Sequence, residues 1–381
     1  MGFCSIIPSD ILRNIAENGN AEQKENAFQA LTASSRIRGQ RQILNNIAIM
    51  GMTATGTKRR TVYDAKHLST LPGVLVRSEG GSPSSDKAVN EAYDGAGKTY
   101  DFFMTVLNRN SIDDRGLRLD STVHFRSGFN NAFWNGQQMV YGDGDGVIFN
   151  RFTKSLDVIA HELGHGVTQY EADLNYQDQS GALNEHFSDV FGSLVLQHAN
   201  NQTVTSASWL IGEGIFAPGI NGTALRSMKA PGTAYNDSTI GKDPQPAHMK
   251  NFVNTSDDNG GVHINSGIPN KAFYEFAHSL GGNSWSRAGR VWYTTLCNEL
   301  SSNATFQDCA NKTFKVAKDL YGAAVAAKAK AAWKKVGINV QLTGFASGGV
   351  GGSVSSQAAT KSPLPKKSAA SSKGGGARGR K

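Results

Sequence analysis

The sequence predicts an α+β fold in two lobes, a β-rich N-terminal lobe over 58–180 and a mainly α-helical lobe over 181–344. Three observations predict it. Residues 61 to about 155 alternate short β-like runs with Gly, Ser, Asn and Asp turns. After Gly181 the apolar residues recur at helical spacing. Between the two, Leu156, Ile159, Ala160, Leu163 and Val167 mark a buried amphipathic helix, and that helix carries His161-Glu162-Leu-Gly-His165.

Two further segments flank the lobes. Residues 1–57 read as a short propeptide and linker, although the same residues could belong to the mature fold. Pro8 to Gly19 gives a capped short helix ended by Gly19, and the run from Ala21 to Leu31 sets Ala27, Phe28 and Leu31 on one side. The basic stretch from Arg36 to Arg60, with Lys58, Arg59 and Arg60 at its end, suits an exposed cleavable linker. At the other terminus, residues 345–381 are Gly-, Ser- and Ala-rich and predict a disordered basic tail.

Within the first lobe, strands are predicted at Val74–Arg77, Thr122–Phe125 and Met139–Tyr141, with a further strand at Asn131-Ala132. One helix, roughly Lys87 to Asn108, buries Ala88, Ala92, Tyr100, Phe103, Val106 and Leu107. The second lobe predicts helices at Ala182–Ala199, Ser266–Leu280, Trp285–Leu300, Phe306–Tyr321 and Ala323–Val336. A long loop-rich stretch, Asn200 to Gly261, separates the first two.

Composition narrows the class. A chain of 381 residues allows two domains and a sizeable core. No apolar run approaches the roughly 18 residues of a membrane span. The first residues lack a basic n-region, and Pro8 and Asp10 interrupt their apolar run, so no secretory signal peptide is recognised. Ile6 stands where myristoylation wants Ser or Thr. Formal net charge is +8, and residues from Ala346 onward hold seven Lys or Arg and no acid, so the basic pI belongs to the tail. Nucleic acid or an acidic surface is the partner class such a tail would take. Cys297 and Cys309 could pair in an oxidising compartment or remain separate thiols.

The chemistry centres on the H-E-x-x-H helix. His161 and His165 lie one turn apart, so their imidazoles can converge on one zinc ion. Glu162 points to the side of that pair, where it can accept a proton from a water activated by the metal. Catalytic zinc usually has a third protein ligand, and Glu185, in Asn184-Glu185-His186-Phe-Ser-Asp189, is the candidate. Asp189, one turn later, can hold a zinc histidine by its other ring nitrogen. His186 points about 100° away from Glu185 and is not expected to ligate.

Five segments then occur in one order: Asn130-Asn-Ala-Phe-Trp-Asn-Gly136, Tyr141-Gly-Asp-Gly-Asp-Gly146, the H-E-L-G-H helix, Gly181 to Gly192, and Asp258-Asn-Gly-Gly-Val-His-Ile-Asn-Ser-Gly267. From about Tyr63 to Gly344 the chain resembles the thermolysin family of zinc metalloendopeptidases, in its protealysin-like branch with a short propeptide. The resemblance implies a two-lobed fold with zinc in the cleft between. It implies that His263, oriented by Asp258, and Tyr176 stabilise the oxyanion, while the Asn131 side chain, the Ala132 carbonyl and Arg226 hold the peptide. It further implies that Phe149, Val158, Ile211, Ile215 and Leu225 line the pocket after the scissile bond, giving cleavage on the amino side of bulky hydrophobic residues. Calcium is expected at one site at most, with Asp157 and Glu213 as ligands, because Leu196, Ser208 and Leu210 stand where others are needed.

A removable leader is implied as well, acting as inhibitor, and a thiolate from Cys4 at the open zinc position is one way it could act; a lone cysteine without a role is the plain alternative. Export without a recognisable signal peptide, or a cytoplasmic precursor, and a monomer without membrane contact complete the expectation. The alternative function is a latent protease fold acting mainly as a binder of anionic partners through its tail.

Overall fold

A five-stranded sheet forms from β1 (Arg60–Asp64), β2 (Val74–Ser78), β3 (Leu119–Val123), β4 (Ala132–Trp134) and β5 (Met139–Tyr141), with β4 and β5 buried at every position. Their order is β2-β1-β3-β5-β4, with β1, β3 and β5 mutually parallel and the outer strands antiparallel to their neighbours. This computed structural model describes residues 5–33 and 56–341. They fall in one compact unit that runs to Gln341; the expected tail, Cys4 and most of the linker lie outside the described residues.

Residues 5–33 form α1 (Ser9–Asn18) and a second helix, α2, over 21–33. Gly19 ends α1 as expected, but no side chain caps its start. In α2 the buried face is Ala27, Ala30 and Ala33, and Phe28 points outward at 61% exposure. The Lys58-Arg59-Arg60 cluster is not linker. Lys58 pairs with Asp101 at 2.7 Å, Arg59 donates to the Gly116 carbonyl at 2.8 Å, and Arg60 opens β1 with its guanidinium over the Tyr93 ring.

Helix α3 (Lys87–Leu107) is capped by Asp86, whose carboxylate accepts from the Ala88 N–H at 2.8 Å. Strand β3 lies three residues before its predicted start and ends at Val123, because His124 turns into the left-handed region at φ 54°. Helix α4 (Leu156–Tyr170) is buried without interruption from Asp157 to Thr168, so it has a core position and not the one-sided burial of an amphipathic surface helix. Helix α5 (Asp178–Ala199) begins four residues before the predicted Ala182 and packs across α4. At the crossing, a Cβ on Gly192 would sit 2.6 Å from the Asp157 carbonyl oxygen, so only glycine permits the approach.

The stretch from 200 to 257 is loop with short pairings, among them β6 (Leu210–Ile211) against β7 (Arg226–Ser227). Then come α6 (Asp258–Asn265), α7 (Gly267–Leu280), α8 (Ala288–Asn298), α9 (Phe306–Tyr321) and α10 (Ala323–Lys335). Helix α8 starts three residues later than predicted. Cys297 and Cys309 remain separate thiols, and burial pushes the Cys297 thiol up to about 12. Among the described residues, no helix is long and apolar enough to cross a membrane.

Candidate active site

The crossing of α4 and α5 brings three side chains together. His161 and His165 bring their Nε2 atoms to 3.1 Å of each other, and Glu185 Oε2 and Oε1 lie 3.5 Å and 3.4 Å from those two nitrogens. All three residues are fully buried. His161 Nδ1 faces Asp189 Oδ1 at 2.8 Å, and His165 Nδ1 faces Asn184 Oδ1 at 2.8 Å and Ser188 Oγ at 2.9 Å. With Nδ1 committed on both rings, the two Nε2 lone pairs aim at one point. Glu185 Oε2, buried and without a hydrogen-bond partner among the described residues, borders the same point. Two facing imidazole nitrogens and an orphaned carboxylate oxygen fit a zinc ion, whose usual distances to N and O ligands are about 2.0–2.2 Å.

Electrostatics favour a cation there. Burial disfavours charge on His161, but Asp189 and Glu185 outweigh it and hold the ring up at about 9. Glu185 remains well below the ordinary carboxylate range despite its burial, because three histidines surround it. Arg226 grips Asp189 through Nε at 2.9 Å and Nη2 at 2.8 Å, and Asn270 donates to the same carboxylate at 2.8 Å. The carboxylate that orients His161 is thus held ionised by a buried arginine.

Glu162, one residue past the first histidine, accepts the Trp134 backbone N–H on Oε2 at 3.0 Å, which ties it to edge strand β4. His263 enters from α6. Asp258 accepts from its backbone N–H at 2.8 Å and faces its Nδ1 at 2.7 Å. Burial disfavours charge on His263, but the Asp258 carboxylate, with that of Glu185, overcomes it and raises the ring to about 10. Residues Asn259, Gly260 and Gly261 all have positive φ, and a Cβ on Gly260 would meet Asp178 Oδ1 at 2.0 Å. This turn delivers His263 to the cleft. Tyr176 donates to Glu185 Oε1 and lies 3.3 Å from His263 Nε2.

Residues 5–7 lie against these groups. Ser5 bridges antiparallel to Phe133 of β4. The Ile6 N–H donates to the Ala132 carbonyl at 3.2 Å, and the Ile7 N–H to Asn131 Oδ1 at 3.1 Å. Arg226 Nη1 donates to the Ile6 carbonyl at 3.1 Å, and His263 Nε2 lies 3.0 Å from the Ser5 carbonyl. Ile6, Ile7, Ile11, Leu12 and Ile15 are buried at 0–1% exposure, worth about 1.5–3 kcal/mol each in apolar transfer.

Phe149, Val158, Ile211, Ile215 and Leu225 are buried, with Ile211 opposite Arg226 in the β6–β7 pair. The two residues assigned to calcium lie in different settings. Asp157 accepts Ser155 Oγ at 2.6 Å and the Gly212 N–H at 2.7 Å, while Glu213 is exposed. Neither belongs to a three-ligand group among the described residues. His186 points away as expected, between Asn270 at 2.7 Å and Trp292 at 2.7 Å, and burial lowers it to about 4.

Sequence reasoning gave no role to Asn184, Ser188, Asn270 or Trp134. A signal existed for the first two: Asn184 and Ser188 repeat the one-turn spacing of Glu185 and Asp189 one residue earlier. Asn270 is remote in sequence, and Trp134 acts through its backbone.

An H-E-x-x-H helix whose two histidines converge with one buried glutamate has the make-up of a zinc-dependent peptidase site. Family models agree: the thermolysin metallopeptidase catalytic domain matches residues 32–169 and its alpha-helical domain matches residues 172–338. The chain belongs to the thermolysin family of metallopeptidases, and is a zinc metalloendopeptidase. It is 50% identical over 346 residues to an extracellular metalloprotease of Pectobacterium carotovorum subsp. carotovorum, covering 89% of this chain and 97% of that one. Protease PrtS of Photorhabdus sp. (strain Az29) is 47% identical, covering 89% and 93%. Among solved structures, the precursor of protealysin, a metalloproteinase from Serratia proteamaculans, matches with a TM-score of 0.81 at 50% identity, covering 88% of this chain and 99% of that one.

Proposed function

We propose that the enzyme cuts peptide bonds on the amino side of bulky hydrophobic residues and is made as a proenzyme whose leader occupies its own substrate cleft. The observation that carries this reading is the placement of Ser5, Ile6 and Ile7. Four backbone groups of that tripeptide meet groups assigned to substrate: the Ile6 N–H the Ala132 carbonyl, the Ile7 N–H Asn131 Oδ1, the Ile6 carbonyl Arg226 and the Ser5 carbonyl His263. The Ser5–Ile6 peptide thus stands for the scissile bond, and Ile6 for the apolar residue after it. Strand pairing at β4 supplies the backbone affinity, and the pocket of Phe149, Val158, Ile211, Ile215 and Leu225 supplies the preference.

His161, His165 and Glu185 would hold zinc, which supplies Lewis acidity toward the peptide carbonyl and toward water. Glu162 accepts a proton from the attacking water and delivers it to the leaving amine nitrogen as the C–N bond breaks. His263, kept charged by Asp258, and Tyr176 donate hydrogen bonds to the carbonyl oxygen as negative charge develops there. Asp189, Asn184 and Ser188 hold the two ligand histidines in one tautomer.

The reading divides the chain into a removable leader over 1–57, catalytic lobes over 58–180 and 181–344, and a tail over 345–381. What supports export is the likeness to the extracellular metalloprotease of Pectobacterium. Calcium is limited to one ion at most, since Leu196, Ser208 and Leu210 stand where further ligands would be needed. The test is full-length protein incubated with zinc and casein beside Glu162→Ala, followed by fragments and by the protein's own N-terminus. Casein fragments and loss of about fifty leader residues in the wild type alone are expected. Equal cleavage by Glu162→Ala, or none by wild type after its leader is removed, would overturn the reading.

A further inference from the structure

A second group of metal-ligand side chains stands outside the catalytic cleft. His67, His124 and Asp143 each offer one ligand atom, and these atoms all lie within 4.8 Å of one another. They come from three places: the loop after β1, the residue after β3, and the loop after β5. Backbone bonds fasten these segments together. The His67 N–H donates to the His124 carbonyl at 2.9 Å, and the Arg126 N–H to the Leu68 carbonyl at 3.1 Å. Both histidines have positive φ, 58° at His67 and 54° at His124. That conformation costs a non-glycine residue about 1–3 kcal/mol, and here it turns both rings toward Asp143.

The His67–Asp143 spacing is that of two ligands on one metal, whereas His124 and Asp143 stand at hydrogen-bond distance and would separate by about half an ångström to admit an ion. Zinc bonded to N and O ligands at about 2.0–2.2 Å in a tetrahedron sets its ligands roughly 3.3–3.5 Å apart. His124 Nδ1 lies 2.9 Å from both Asp143 oxygens, and His67 Nδ1 lies 3.6 Å from Asp143 Oδ2. Independently, His124 Nε2 faces Asp86 Oδ2 at 2.7 Å. A metal-bound histidine characteristically donates its other ring N–H to a carboxylate, which fixes the tautomer. Asp86 is itself held in place, since its other oxygen caps α3.

We propose that His67, His124 and Asp143 form a site for one zinc-class divalent transition ion, with Asp86 orienting His124 and a coordination position left to water. Two aspartates balance the charge of the ion when both imidazoles are neutral. Two imidazoles in a set of three favour zinc, copper or nickel over calcium or magnesium, which take oxygen ligands. The site is solvent-facing, with the His67 side chain 55% exposed, so metal enters without unfolding. Occupancy would pin the loop after β1 to the ends of β3 and β5. Next to Asp143, the Gly142 N–H donates to the Asn131 carbonyl at 3.0 Å, so the segment after β5 adjoins a residue assigned to substrate. Without metal, a proton on His124 Nδ1 satisfies the same atoms, so metal uptake must release that proton.

The test uses full-length Glu162→Ala protein, which keeps its leader, equilibrated with buffered free zinc. Metal per chain is counted by mass spectrometry, and melting temperature is followed as zinc is added. Two zinc ions per chain are expected, falling to one in His67→Ala and in Asp143→Asn, with a zinc-induced rise in melting temperature that His67→Ala loses. His67 is exposed and outside the core, so its variant should fold; in an otherwise wild-type chain it should retain casein cleavage. The same zinc count in the parent and in His67→Ala would overturn the proposal, as would a rise in melting temperature that calcium produces equally well.

Discussion

His161, His165 and Glu185 sit on two packed helices and are wholly buried, whereas His67, His124 and Asp143 hang from strand ends with His67 facing solvent. The ligand types are the same. The settings differ in what stands behind the ligands. In the inner group, both histidines have their second nitrogen committed, to Asp189 and to Asn184 with Ser188. In the outer group, only His124 has such a partner, Asp86. The contrast separates a site built for chemistry, rigid and shielded from water, from one built to fasten loops. The inner group should therefore bind zinc far more tightly than the outer one.

The largest expected effect tests whether chemistry belongs to the inner group alone. Glu162→Ala should lower kcat of the leader-free enzyme on the order of 10²–10⁴-fold while leaving zinc content unchanged. Loss of zinc in parallel with activity would make Glu162 a structural residue instead.

The next compares the carboxylates behind each group. Asp189→Asn leaves Arg226 buried without its counter-charge and should cost about 3–5 kcal/mol in denaturant unfolding. Asp86→Asn, at a solvent-facing ion pair, should cost about 1 kcal/mol or less. Each should weaken zinc at its own group roughly 10–100-fold. Equal stability losses would break the comparison.

A smaller effect concerns pH at the leader that covers the inner group. Burial, then Asp258, raises Asp10 of the leader from 3.8 to about 6, with His263 working the other way. A carboxyl raised on docking stabilises the docked state fully below its free pKa, and that contribution fades as pH rises through about 6. Leader release should be slower at pH 5 than at pH 7.5, by roughly tenfold or more. Asp10→Asn should flatten the profile; an unchanged slope would remove Asp10 from the account.

Much of the inner group was legible because its spacing is local. His161 and His165 share one helix, and Glu185 and Asp189 share another, so helical periodicity alone pairs them. The helices themselves were legible for the same reason, within a few residues at their ends. The outer group was not. Its ligands lie 57 and 19 residues apart in sequence, and they converge only because His67 and His124 adopt left-handed backbone that nothing in their side chains announces. The same turn at His124 ended β3 early. Lys58, Arg59 and Arg60 misled in the opposite direction, since a basic cluster reads as linker until Asp101, Glu79 and Tyr93 are seen to receive it.

The central claim is that Ser5, Ile6 and Ile7 close a competent active site by taking the place of substrate. The most direct measurement follows hydrolysis of a fluorogenic peptide from time zero by freshly purified full-length wild type and by full-length Ile6→Asp, which cannot bury its charge in the cleft. The account predicts a lag in the wild type that ends as the leader is lost, and full rate from the start in Ile6→Asp. Identical progress curves without a lag, in two folded proteins of equal zinc content, would contradict it.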